Sequence, residues 1–222
     1  MYNIYIHMTK FVTIYGERCS GTNYLEALLT TNYDVEVQWK YGWKHFFGFH
    51  NLKNSDDTLF IGIIRNPYDW INSLYRDKHH IPAINTSSID NFLNNEFYSI
   101  QDNGSEIIRD RNMYTKERYK NIFEMRHTKN KFLIEDMPTL VKNYLLITHE
   151  ELLYDFTNTM NKITSKGLNI KPDIEFPLNI IHYKKQKRRL FELNSKPNHI
   201  SKEQVADKFN MHYEKMLFEN YL

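Results

Sequence analysis

The spacing of apolar and polar positions changes several times along this chain, and each change predicts a new element. Residues 10 to 16 form a short apolar run containing Phe11, Val12, Ile14 and Tyr15, which reads as a buried strand. From Thr22 to Leu29 the period becomes helical, with Tyr24, Leu25, Leu28 and Leu29 on one face. VEVQW, 35 to 39, alternates like a strand, and TLFIGII, 58 to 64, is the continuous apolar run of a strand buried on both faces. Pro67 suits the first turn of a helix over Asp69 to Tyr75. Residues 80 to 115 are polar and irregular apart from a short helical pattern near Ile89 to Phe97, as in substrate-facing loops. Residues 119 to 136 read as a long helix. NYLLITHEELL, 143 to 153, changes from strand to helix near His149, and a further helix runs to Ile163. Residues 167 to 200 are loop-rich, and 202 to 220 read as a terminal helix. Strands alternating with helices predict one α/β domain over 1–222, three layers deep, with a central, mainly parallel sheet.

Composition narrows the partners. The formal net charge of +2 on 222 residues supplies no global field for nucleic acid. No apolar stretch approaches the roughly 20 residues that span a bilayer. The N-terminus lacks a secretory h-region. The single cysteine, Cys19, excludes an internal disulfide and fits a reducing compartment. A cytoplasmic protein without a membrane span is the expectation.

The chemistry concentrates in GERCSGTNYL, 16 to 25. A strand, a glycine-bearing turn and a helix present free N–H groups to an anion. Arg18 adds a fixed charge, Ser20, Thr22 and Asn23 add short donors, and Gly21 permits close backbone approach. An ordinary βα turn with a Ser/Thr cap has the same pattern. The nucleotide-hydrolase P-loop does not, because Thr22 and Asn23 stand where its Lys-Ser/Thr would be. Arg65 ends the buried strand 58–64, on the rim where open α/β sheets bind ligands, and Ser73 follows eight positions later. Between them lie Lys44 and His45. A lysine can stabilise a leaving oxygen and a histidine can take a hydroxyl proton; His50 is the other candidate base.

Together these residues resemble the sulfotransferases that use 3′-phosphoadenosine 5′-phosphosulfate (PAPS). GERCSGTNYL is similar to the family's P-loop-like 5′-phosphosulfate loop, with Arg18, Cys19, Ser20, Gly21, Thr22 and Asn23 at the cosubstrate. Cys19 stands where the family often has lysine, and Arg18 lies one residue earlier. Arg65-Asn66-Pro67 with Ser73 resembles its 3′-phosphate motif, and Lys44-His45 a shortened Lys-x-His. NYLLITHEELL resembles its strand-to-helix segment, with His149 where tyrosine is usual. The basic cluster KKQKRR offers Lys187, Arg188 and Arg189 to the 3′-phosphate, not distinguished from one another.

The resemblance implies transfer of a sulfuryl group from PAPS to an acceptor hydroxyl, leaving 3′-phosphoadenosine 5′-phosphate (PAP). His45 would be the base, Lys44 and Arg18 would stabilise the leaving oxygen, and the scheme requires no metal. The acceptor is a glycan or a small molecule. The alternatives are a P-loop kinase for a small metabolite, which would need ATP and Mg²⁺, and a nucleotide-binding module without catalysis.

Overall fold

The computed structural model describes residues 9–180 and 197–219. Four strands form one sheet, β1 (Phe11–Tyr15), β2 (Glu36–Val37), β3 (Thr58–Ile64) and β4 (Tyr144–Thr148), in the order β2-β1-β3-β4. Every pairing is parallel; Phe11 lies opposite Thr58, and Phe60 opposite Tyr144. The chain is an α/β protein. β3 is buried along its whole length, as its unbroken apolar run requires.

The pleat sorts β3 into two cores. Leu59, Ile61 and Ile63 pack with Leu25, Leu28 and Leu29 of α1 (Thr22–Asn32) and with Met160 and Ile163 of α7 (Phe156–Thr164). Phe60 and Ile64 face the other way, toward Tyr15, Phe47, Phe132, Met137 and Phe218. Helical segments therefore cover both faces. A third cluster forms at the side. There Trp70, Ile71 and Leu74 of α2 (Pro67–Arg76) meet Phe92 of α3 (Ile89–Asn94), Ile122 and Met125 of α4 (Ile122–Lys131), and Val205 and Phe209. Among the described residues no helix is long and apolar enough to cross a membrane.

Three elements differ from their sequence patterns. The strand expected over 35–39 is only Glu36–Val37. Gln38 still donates its N–H to Val12, but a turn closed by Gly42 N–H on the Trp39 carbonyl carries the chain off the sheet edge. The helix expected over 119–136 begins at Ile122, capped by Asn121, and widens into a π-turn at Phe132–Asp136 before α5 (Met137–Leu140). Pro138 lies just beyond that turn and has no N–H to return to the preceding turn. The terminal helix expected over 202–220 is α8 (Met211–Phe218), because Asn210 caps it by accepting from His212 N–H. Residues 202–210 instead make short turns that place Val205 and Phe209 in the side cluster.

β2 and β3 lie on opposite sides of β1, so the chain changes direction across the sheet between β1 and β3. Ligands of open α/β sheets bind beyond the carboxyl ends of the strands at such a switch point. There the first turn after β1 runs against β3 itself. A Cβ on Gly16 would stand 2.6 Å from the Ile63 carbonyl oxygen and 2.7 Å from its Cγ2. Gly16→Ala is expected to destabilise the fold by about 1–3 kcal/mol through overpacking. A urea midpoint equal to that of the parent, at unchanged slope, would show that the strands can part to admit a methyl group.

Candidate functional site

The loop between β1 and α1 has an unusual backbone. Cys19 and Gly21 both adopt left-handed conformations, with φ of 64° and 92°. Ser20 N–H closes a turn on the Glu17 carbonyl at 3.1 Å. The next two carbonyls are held by side chains of the second motif. Trp70 Nε1–H donates to the Arg18 carbonyl at 3.1 Å, and Arg65 Nη1 donates to the Cys19 carbonyl at 3.2 Å. With its carbonyls taken, the loop leads into the N-terminus of α1, where Gly21 is the N-cap. No side chain caps this helix and no acidic residue lies in its first turn. By contrast Asn66 caps α2, Asn121 caps α4, and Thr148 with Glu151 forms a capping box on α6 (His149–Tyr154). An uncapped helix start leaves backbone N–H groups without an intrahelical partner, the geometry that can hold an anion.

The structure joins the two motifs at Cys19. Ser73 lies beside its thiol, and burial, reinforced by Asp77, pushes the thiol pKa up to about 11 although Ser73, Arg18 and Arg65 oppose the rise. The thiol is therefore protonated near neutral pH. Arg65 retains one guanidinium donor, Nε–H, that is buried without a hydrogen-bond partner among the described residues. Its carbonyl accepts from Arg126 Nη2 at 2.8 Å, and Arg126 is clamped by both carboxylate oxygens of the buried Glu214. Ser20 and Thr22 are buried.

Lys44 and His45 come against the same loop from the segment that follows β2. Lys44 Nζ bonds Asn23 Oδ1 and, at 3.2 Å, Glu26 Oε2, so it lies along the first turn of α1. The rings of Trp39 and Trp43 flank its ammonium at 5.5 and 5.3 Å. His45 Nδ1 lies 2.7 Å from the Gly16 carbonyl. A carbonyl can only accept, so Nδ1 carries the proton and Nε2 keeps its lone pair. Burial holds the His45 pKa down to about 3; the Gly16 bond opposes this, and Lys44, Arg18 and Lys129 add to it. His50 packs instead against Gly42.

Arg18 is brought to the loop but engaged beneath it. It donates to the His79 carbonyl at 3.3 Å and to Asp110 Oδ2 at 3.4 Å, and its guanidinium lies over Phe97. Lys187, Arg188 and Arg189 lie outside the described residues.

Four further residues belong to this site. Buried Lys129 donates to Glu17 Oε1 at 2.7 Å, to the His45 carbonyl at 2.8 Å and to Asp110 Oδ1. It thus ties the loop, the His45 segment and the 110 region together. Glu17, Asp110 and Lys129 sit among ordinary polar residues in the sequence, and nothing in their spacing singles them out. The fourth is His149, whose ring lies against Gly21 so closely that any Cβ there would overlap it. Its Nδ1 is buried without a partner among the described residues. Burial, and secondarily Arg65, lowers its pKa to about 3. The strand-to-helix change at His149 is visible in the sequence; the contact with Gly21 is not.

No family model matches the chain, and no curated protein does. Among solved structures, the chain is similar to mouse sulfotransferase SULT7A1 complexed with PAP, at 16% identity and a TM-score of 0.40. The match covers 71% of this chain and 58% of that one, so the chain spans little more than half of that structure's length.

The lowered histidine pKa values fix a sign for stability against pH. Between about 6.5 and 3 the unfolded chain protonates these rings while the folded chain does not. Stability is therefore full above pH 6.5 and declines as pH falls, by up to about 1.4 kcal/mol per pH unit for each histidine. Unfolding free energies measured from pH 6.5 to 5 are expected to slope less steeply in His149→Gln than in the parent. Parallel slopes would mean that the folded His149 ring protonates normally.

Proposed function

We propose that this chain is a sulfotransferase that moves a sulfuryl group from PAPS to an acceptor hydroxyl. The observation that carries the reading is the meeting of two phosphate-type motifs at Cys19, where Arg65 takes its carbonyl and Ser73 lies beside its thiol. Residues 46 and 54 positions apart in the chain (65 − 19 and 73 − 19) thereby share one rim with the uncapped start of α1. In this reading the amides from Gly21 to Asn23 and the side chains of Ser20, Thr22 and Asn23 receive the 5′-phosphosulfate. Arg65 and Ser73 receive the 3′-phosphate, joined by Lys187, Arg188 and Arg189. A neighbouring cleft of about 530 Å³, lined by Asn66, Tyr68, Asn72, Glu150, His199 and Lys202, is of a size to take a nucleoside.

The acceptor oxygen attacks sulfur in line. An O–S bond forms, the bond from sulfur to the bridging phosphate oxygen breaks, and the acceptor proton passes to His45 Nε2. PAP leaves with the electron pair on its 5′-phosphate, where Lys44, Arg18 and the α1 amides stabilise it. Lys44 would turn from Glu26, and Arg18 from Asp110, toward the anion. A pKa near 3 makes the free His45 a weak base. The negative charge of the bound cosubstrate acts to raise it. The acceptor, a glycan or a small molecule, would lie against the aromatic 43–49 segment and the 80–115 segment.

PAP at a hundred times its dissociation constant is expected to stabilise the fold by about 2.7 kcal/mol, with ADP giving less. Arg65→Ala should weaken PAP binding by about 1.5–3 kcal/mol, the worth of a charged hydrogen bond. Stabilisation by ATP with Mg²⁺ but not by PAP would replace this reading with a kinase. Turnover with PAPS is expected to fall about a hundred- to ten-thousand-fold in His45→Gln while PAP affinity holds. Full turnover in that variant would remove His45 as the base, and PAP binding with no transfer to any acceptor would favour the non-catalytic module.

A further inference from the structure

We propose that His79, His80 and Asp102 bind one divalent transition-metal ion of the zinc class at the edge of this site. One ligand atom from each of the three lies within 4.8 Å of the others. Two imidazoles and a carboxylate with a position left for water form a zinc-type donor set, and imidazole disfavours magnesium and calcium. Ligand atoms on a tetrahedral zinc stand roughly 3.4 Å apart, so binding needs at most about 1.4 Å of closure. His79 and Asp102 are exposed, so the closure falls on surface side chains.

His80 is already set for the task. It adopts a left-handed backbone, φ 64°, which turns two consecutive histidine rings to one side with centroids 3.6 Å apart. Its Nδ1 lies 2.9 Å from the Ile100 carbonyl. That bond puts the proton on Nδ1 and leaves the Nε2 lone pair for an ion, the arrangement that commonly orients metal-binding histidines. Ile100 N–H returns a bond to the His80 carbonyl at 3.0 Å, so the two segments are clamped at two points. Asp102 follows two residues later in a turn closed by Gly104 N–H on Gln101 and by Gln101 N–H on Ser105. The clamp thus carries the carboxylate to the imidazoles without a bond from the side chain of His79 or Asp102.

The ion would pin the turn after α2 to the 100–105 hairpin. The His79 carbonyl also accepts from Arg18, and Phe46 packs edge-on against both His80 and His45. The pinned segments therefore border the phosphate-type loop and the His45 ring. This role is structural and independent of the sulfuryl-transfer reading.

Isothermal titration of the whole chain with zinc chloride, in a buffer that does not chelate, tests the proposal. One ion per chain is expected. Asp102→Asn and His79→Gln should each raise Kd at least about tenfold, with His80→Gln at least as severe. Neither Asp102 nor His79 belongs to the His80–Ile100 clamp, so their substitution leaves the fold of the two segments intact. His212→Gln, at an exposed histidine on α8, should bind as the parent does. Cobalt in place of zinc should give visible absorption of a four- or five-coordinate ion that Asp102→Asn diminishes. Absence of zinc binding, equal binding in Asp102→Asn and His79→Gln, or loss confined to His212→Gln would each overturn it.

Discussion

The site depends on where the loop carbonyls go. A turn of six residues between a buried strand and a helix must satisfy its own C=O groups before it can offer its N–H groups to anything else. Trp70 and Arg65 take the carbonyls of Arg18 and Cys19. Both belong to the second strand-helix unit, so one βα turn is shaped by the next. The left-handed backbone at Cys19 and Gly21 is what lets consecutive peptide groups point in opposite directions. Gly21 meets that demand without strain and also gives room to His149; Cys19 meets it at a modest steric cost.

A buried charge cluster supports this loop from below. Lys129 holds Glu17, Asp110 and the His45 carbonyl at once, and Arg18 shares Asp110. Such clusters add little net stability, since desolvation offsets much of the attraction, but removing one member strands the others. Their effect here is geometric. They tie the turn after β1, the histidine segment and the 99–110 region into one body. The polar 80–115 stretch is thereby a built wall of the site, held by Ser99 on Asp110 and by His80 on Ile100.

The cations and histidines around the loop are already engaged within the fold. Arg18 and Lys44 are paired with Asp110 and Glu26. Two histidines beside them are kept neutral by burial and by neighbouring positive charge. An arriving anion would compete for the cations and relieve what holds the imidazoles deprotonated.

Local signals in the sequence were sufficient for the parts that depend on local physics. The unbroken run at 58–64 reads as a strand buried on both faces, Pro67 marks a helix start, and Gly16 and Gly21 mark the turn between strand and helix. The nearness of Arg65 and Lys44 to that turn followed from strand-end logic, because parallel strands put their carboxyl ends on one rim. Other features depended on contacts that no local pattern encodes. The Asn210 cap shortened the last helix, and a turn after Trp39 cut short the edge strand. Arg18 is held by Asp110, 92 positions away. Lys129 and His149 joined the site from helices whose spacing shows only an ordinary amphipathic pattern. Periodicity reports which face of an element is buried; which distant side chain meets it there is decided by the order of strands in the sheet and the packing of helices across it.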